Sequence, residues 1–143
     1  MSFDVSVHEY PFPDFALPFR ITMLPMTHSS PCVGARIEYD GRVIAYVPDT
    51  GYNENAVALA RNADVLIAEC AYLPGEENPS WPHLNPEAGA RIAREAAAKR
   101  LVLAHFDAHR YAGFAARDAA QAAARTVFAN ADAAADGLEM TLC

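Results

Sequence analysis

Basic charge is scarce in this sequence. Its 11 Lys and Arg stand against 18 Asp and Glu, for a formal net charge of -7. A general nucleic-acid binder wants a basic face that releases counterions from phosphates, and the few basic residues here are scattered. Nucleic acid is therefore a disfavoured partner. Cysteine is equally sparse. Cys32, Cys70 and Cys143 are widely spaced, odd in number and form no Cys-x-x-Cys pair. That pattern argues against a disulfide framework and for reduced thiols in a cytoplasmic protein. No apolar run is long enough to span a bilayer, and Met1 to His8 lacks the basic and apolar regions of a signal peptide. Several catalytic signatures are also missing: a Gly-x-Ser-x-Gly elbow, a Walker A loop and a Gly-x-Gly-x-x-Gly turn. Ser29 and Ser30 lie beside His28, but adjacency in sequence does not make a triad.

What is present is a chain of 143 residues, 52% of them apolar, which predicts one folded domain over 1–143 with a real core. Phe3 to Val7 reads as a short strand, and the proline-rich Tyr10 to Pro18 as an irregular connection. Phe19–Leu24 alternates apolar and polar and predicts a half-buried strand. Val33–Tyr39 and Arg42–Val47 are predicted strands joined by Asp40-Gly41, a hairpin signal. The first third is thus an antiparallel meander. From Asn53 the pattern changes to alternating helix and strand. Helices are predicted over 53–63, from Asn85-Pro86 to about Ala98, and over 114–128. Asn85 serves as cap and Pro86 as first helical residue. Strands are predicted at Asp64–Glu69, Leu101–Ala104 and, after Asp136-Gly137, Leu138–Leu142. The fold class is mixed α/β with helices laid on a sheet.

Ala45-Tyr-Val-Pro-Asp-Thr-Gly-Tyr52 is the stretch around which candidate chemistry gathers. Pro48 stops a strand, Gly51 allows a tight turn, and Asp49 sits between them at the mouth of a strand-turn-helix unit. There it holds a metal or substrate, or simply caps the turn or the following helix. Of the five histidines, His28, His83, His105 and His109 fall at predicted strand ends or loops, as do Asp49 and Glu69. Strand ends are where open sheets collect functional groups, and imidazole with carboxylate is a ligand set for zinc and similar metals. Each has a plainer role: His28 as a loop cap, Glu69 as a buried hydrogen-bonded carboxylate, His109 as a loop residue, and Cys70 as a small core residue.

In order, His28, the Gly34-Ala-Arg-Ile37 strand, Tyr46-Val-Pro-Asp-Thr50, Ala63-Asp-Val-Leu-Ile-Ala-Glu69, Trp81-Pro-His83 and Leu101-Val-Leu-Ala-His105 resemble the C-terminal half of metallo-β-lactamase-fold hydrolases. The likeness is nearest to the branch of tRNA 3′-processing endonucleases and runs from about Phe19 to Leu142. It implies half of an αββα sandwich, a mixed sheet with helices on one face. It also implies His28, Asp49 and His105 as metal ligands, with Asp49 bridging two ions and sharing in catalysis. Glu69 and His83 correspond to a pair beside the metals that assists proton transfer to the leaving group. The implied cofactor is zinc, one or two ions, or else manganese or iron. The metals polarise the substrate and activate a water, so the implied reaction is hydrolysis of a phosphodiester or a small ester, lactone or amide.

One departure is large. The His-x-His-x-Asp-His motif of that family is absent, and no two histidines are spaced by one residue. The motif belongs to the N-terminal half of the family's fold. Its absence leaves the expected sheet with one bare face; Ile21, Met23, Val33, Ala35, Ile44 and Tyr46 supply one or the other face of such strands, and a soluble protein does not leave a large apolar face open. A homodimer, or a separate chain supplying the N-terminal half, is the expected partner. Three functions remain in play: a metal-dependent hydrolase completed by another chain, a non-catalytic interaction module retaining the site residues, and a mononuclear metal-binding protein using His28, Asp49 and His105.

Overall fold

The computed structural model describes residues 17–142. The expected strand at Phe3–Val7, most of the proline-rich connection, His8 and Cys143 lie outside the described residues. Among the described residues, six strands form one sheet in the order β1 to β6. They are β1 (Arg20–Pro25), β2 (Val33–Tyr39), β3 (Arg42–Val47), β4 (Val65–Glu69), β5 (Leu101–Ala104) and β6 (Ala131–Ala133). Three helices accompany them, α1 (Glu54–Ala60), α2 (Pro86–Glu95) and α3 (Phe114–Val127).

β1, β2 and β3 are antiparallel neighbours, as the meander predicted. Their tight turn is Asp40-Gly41, with φ of 47° and 72°, the left-handed pair that two-residue hairpins require. β3 to β6 are parallel, each joined to the next through a helix. α1 and α2 begin where asparagine side chains stand in for missing helical acceptors: Asn53 accepts from the Ala56 N–H at 3.0 Å and Asn85 from the Ala88 N–H at 2.8 Å. α1 stops at Ala60, short of its predicted end. There Arg36, reaching from β2, donates to the carbonyls of Leu59 and Arg61. α2 also stops early, at Glu95, in a left-handed Ala97 (φ 52°) with the Ala98 N–H bonded back to the Ala93 carbonyl.

The registers divide the sheet cleanly. Ala45, Val47, Leu66, Ala68, Leu101 and Leu103 face the helices and share one core with Leu59, Ile92, Ala93, Ala120 and Ala124. The alanines let the helices approach closely. Ile21, Ile37 and Ile44 are successive partners across the strands, as are Met23, Ala35, Tyr46 and Ile67; side chains alternate along a strand, so all seven lie on the other face. All six apolar residues singled out in the sequence fall on this one face. Tyr46 there is 45% exposed and Val33 43%.

The predicted strand at Leu138–Leu142 is not formed; the sixth strand is Ala131–Ala133. The three residues Ala-Asp-Ala carry little strand propensity. β6 is placed instead by side chains: Asp132 pairs with Arg100 at 2.7 Å and Arg125 at 2.9 Å, and Gln121 accepts from the Ala133 N–H. Asp64, expected to open β4, instead accepts from the Val43 N–H and from Lys99, which hold its carboxyl below the usual range.

Candidate functional site

Because β1 and β3 are both antiparallel to β2, and β3 to β6 are parallel, five strands point the same way. The residues that follow them emerge along one edge. His28 follows β1, Asp49 follows β3, Glu69 ends β4 and His105 follows β5. His83 arrives from the long loop between β4 and α2. The edge is tied together by backbone: the Gly51 N–H donates to the Thr27 carbonyl at 2.9 Å, and the Thr27 N–H donates to Thr50 Oγ1 at 3.1 Å.

Glu69 is 1% exposed. A buried carboxylate is costly unless its lone pairs are met, and here they are. Oε1 accepts from the Thr50 N–H at 2.9 Å and lies 2.7 Å from His83 Nδ1, while Oε2 accepts from the Ala71 N–H at 2.8 Å. A carboxylate only accepts, so His83 carries its proton on Nδ1 and keeps Nε2 free. This is the arrangement expected of a side chain that positions a histidine.

Asp49 does not cap α1; Asn53 does. Asp49 Oδ1 lies 2.7 Å from His105 Nε2. His105 has φ 50°, a left-handed backbone that costs a non-glycine residue about 1–2 kcal/mol, and the turn aims its imidazole back across the edge to Asp49. His28 Nδ1 accepts a long 3.4 Å contact from the Ser30 N–H, the loop-capping role anticipated for it, and its ring lies edge-on to His83 at 5.2 Å. His109 is exposed and meets Asp107 through its backbone N–H, a loop role.

His28, Asp49, His83 and His105 line one cavity of about 330 Å³, with Ala71, Tyr72, Asn78, Trp81, Asp107 and Arg110 completing its wall. The ligand atoms of Asp49, Glu69 and His83 lie within 4.8 Å of one another. Since Glu69 is consumed by its three donors, the groups with capacity left for a metal are Asp49 and the imidazoles. That donor set fits a borderline divalent ion. Asp49 and His105 would give up their mutual contact to hold such an ion, with His105 presenting Nε2 and keeping its proton on Nδ1.

Thr50, Tyr72 and Arg110 were not singled out in the sequence. Thr50 is fully buried and its backbone holds Glu69. Arg110 grips Glu76 through both carboxylate oxygens, reaches Asp107 and lies over the Tyr72 ring at 5.1 Å. It holds Glu76 below the usual carboxylate range; the backbone N–H groups of Arg110 and His109 do the same for Asp107. Cys70, as anticipated, is core: burial pushes its thiol up to about 12. Burial, and after it the charge of Asp49, raises Cys32.

The model of the beta-lactamase superfamily domain matches residues 4–106. The chain is 33% identical over 111 residues to a probable metallo-hydrolase, YhfI, of Bacillus subtilis, covering 78% of this chain and 43% of that protein. It is 36% identical over 104 residues to ribonuclease Z of Bacillus velezensis, covering 71% and 33%. The crystal structure of YhfI, described as a metallo-beta-lactamase fold protein, matches with a TM-score of 0.77 at 32% identity over 87% of this chain and 49% of that one. The short form of human tRNase Z gives a TM-score of 0.69 at 22% identity over 92% and 47%, a likeness of fold. The chain spans less than half the length of these relatives.

Proposed function

This chain belongs to the beta-lactamase superfamily, with the metallo-β-lactamase fold, and on that premise we propose that it supplies the C-terminal half of a metal-dependent hydrolase. The observation that carries the proposal is the meeting of two prepared pairs, Asp49 with His105 and Glu69 with His83, in one cavity that His28 also lines. The family implies a divalent metal; His28, Asp49 and His105 are the residues to hold it, as zinc or else manganese or iron. Such an ion supplies Lewis acidity and an activated water when bound. His83 takes up and delivers protons at Nε2, with Glu69 fixing its ring and tautomer. The cavity is near the lower limit for small-molecule sites, which favours a small ester or the exposed end of a phosphodiester. The name ribonuclease Z borne by one relative keeps an RNA phosphodiester within that class.

The site is to be completed by a second layer on the open sheet face. Ile21, Ala35, Ile37, Ile44, Tyr46 and Ile67 form a contiguous half-exposed apolar patch, and relatives twice as long carry further chain. We assign that cover to the counterpart of their remaining half, with a second copy of this chain as the alternative that a solution mass distinguishes. We also take the 143 residues as one domain and the cytoplasm as its compartment. The shared core and the free thiols of Cys32 and Cys70 support this; among the described residues no helix is long and apolar enough to cross a membrane.

The test is hydrolysis of bis(4-nitrophenyl) phosphate and 4-nitrophenyl acetate by protein loaded with zinc or manganese. Turnover that is lost with chelator and in Asp49→Ala supports the proposal. A second reading, a non-catalytic interaction module, is favoured by the closed Asp49–His105 pair and the absent His-x-His motif. It requires neither metal uptake nor turnover.

A further inference from the structure

Trp81 is the unexplained residue of the site. Tryptophan is normally well buried, yet this one is 54% exposed and forms part of the cavity wall. Its ring centre lies 6.2 Å from that of His28 and 6.3 Å from that of His83. The backbone beneath it is pinned. The Trp81 N–H donates to the Asn78 carbonyl at 3.1 Å, and the hydroxyl of the buried Tyr72 donates to the Trp81 carbonyl. The next residue, Pro82, packs so tightly on Gly51 that a Cβ there would come within 2.9 Å of the Pro82 Cβ. The backbone that carries the indole is therefore held in place, while much of the ring's own surface stays open. The guanidinium in the same wall, Arg110, is already engaged by Glu76 and Asp107. Beside the Asn78 amide, whose Oδ1 takes the Ser80 N–H, the described wall then offers the rest of a substrate a flat π-surface near His83.

We infer that Trp81 determines specificity at this cavity by stacking on a planar ring next to the group being hydrolysed, an aryl group or a nucleobase, in preference to an aliphatic one. The word hydrolysed rests on the function proposed above; the stacking does not. Base–aromatic stacking on a protein ring corresponds to about a 5- to 150-fold change in affinity. An unmet π-face is sequence-tolerant, which suits a site with few polar readers.

Trp81 is the single tryptophan of the sequence, so intrinsic fluorescence reports on this residue alone. The purified chain is titrated, without metal, with adenosine 5′-monophosphate, phenyl phosphate, ribose 5-phosphate and inorganic phosphate. Saturable quenching is expected with the two ring-bearing probes, at affinities at least about 5-fold tighter than the ribose probe shows in dialysis. Binding of the adenine probe alone assigns a nucleobase and of the phenyl probe alone an aryl group; either supports stacking. In equilibrium dialysis with labelled adenosine 5′-monophosphate or phenyl phosphate, Trp81→Leu loses about 5- to 150-fold in affinity and Trp81→Phe retains most of it. Far-UV circular dichroism confirms that both variants fold. Equal binding of ring-bearing and ring-free probes, no binding of either ring, or an unaffected Trp81→Leu overturns the inference. Ring-selective binding without turnover overturns the hydrolase proposal and leaves this one standing. Turnover of alkyl and aryl esters at equal rates, unchanged in Trp81→Leu, does the reverse.

Discussion

Glu69 meets His83 at 2.7 Å through Nδ1, and the same carboxylate takes the backbone N–H groups of Thr50 and Ala71. One side chain thus fixes a histidine, the turn carrying Asp49, and the start of the loop that leads to His83. Glu69→Gln places an amide N–H2 against at least one donor. We expect it to lose about 1–3 kcal/mol of stability and hydrolysis to fall about 10- to 100-fold, the usual scale for losing the group that orients a site histidine. His83→Ala, by contrast, should fold normally and lower the rate about 10²- to 10⁴-fold with metal content unchanged. Urea melts, metal analysis and rates on the two variants separate the roles. Loss of metal in His83→Ala would make His83 a ligand instead.

Gly51 is the point where the Asp49 turn and the His83 loop touch. Its φ is ordinary; the constraint is space, since an added Cβ would sit 2.9 Å from Pro82 Cβ. Gly51→Ala should cost about 1–3 kcal/mol and shift Trp81 emission, because Pro82 links the two. Unchanged stability and emission would show that the loop yields freely.

Two left-handed residues offer a paired test of strain. Ala97 (φ 52°) ends α2 and His105 (φ 50°) carries the imidazole. Ala97→Gly should stabilise by about 1 kcal/mol and leave metal binding alone. His105→Gly should also gain stability, less the contact with Asp49, but lose metal. Thermal melts with metal titration read both. If His105→Gly destabilises strongly, His105 is holding the edge together and not merely strained to serve it.

Glu76 and Asp107 clamp Arg110 between two loops of the site. Arg110 depresses the first carboxyl and the Arg110 and His109 N–H groups the second. Folded-state values below the ordinary 4.5 and 3.8 mean that the clamp contributes fully above those values and is lost as pH falls through the lowered ones. Amide protection factors in the two loops should therefore fall as pH drops below the ordinary values, with the Glu76 part of that step removed in Arg110→Met and the backbone-held Asp107 part kept. The two carboxylates are about a third exposed, so the effect is local loosening and not global acid unfolding.

Much of this was legible in the sequence. β2, β3 and β5 fall at their expected bounds because alternation, the Asp40-Gly41 turn and a bounded apolar run each act locally. Asn85-Pro86 marks the start of α2 for the same reason. Asp49, Glu69, His83 and His105 stand out because strand ends gather chemistry, and Glu69 as a partner for His83 was readable there, while the Asp49–His105 contact was not. β6 was hidden, since Asp132 is aligned by Arg100 and Arg125, contacts made across the fold that no short window contains. Leu138–Leu142 misled because alternation without a partner strand specifies nothing. The roles of Thr50, Arg110 and Trp81 were invisible for a similar reason. A buried threonine backbone, a guanidinium clamp and an exposed indole are properties of surroundings, not of residue type.

The most direct measurement is metal content of the purified chain, taken together with its mass in solution and repeated for Asp49→Ala and His105→Ala. The account predicts a divalent metal bound in stoichiometric amount by an assembled species, near two ions per completed unit, removed by chelator and lost in both variants. A metal-free chain whose stability ignores chelator, whatever its mass, would contradict the claim that this edge is a metal centre.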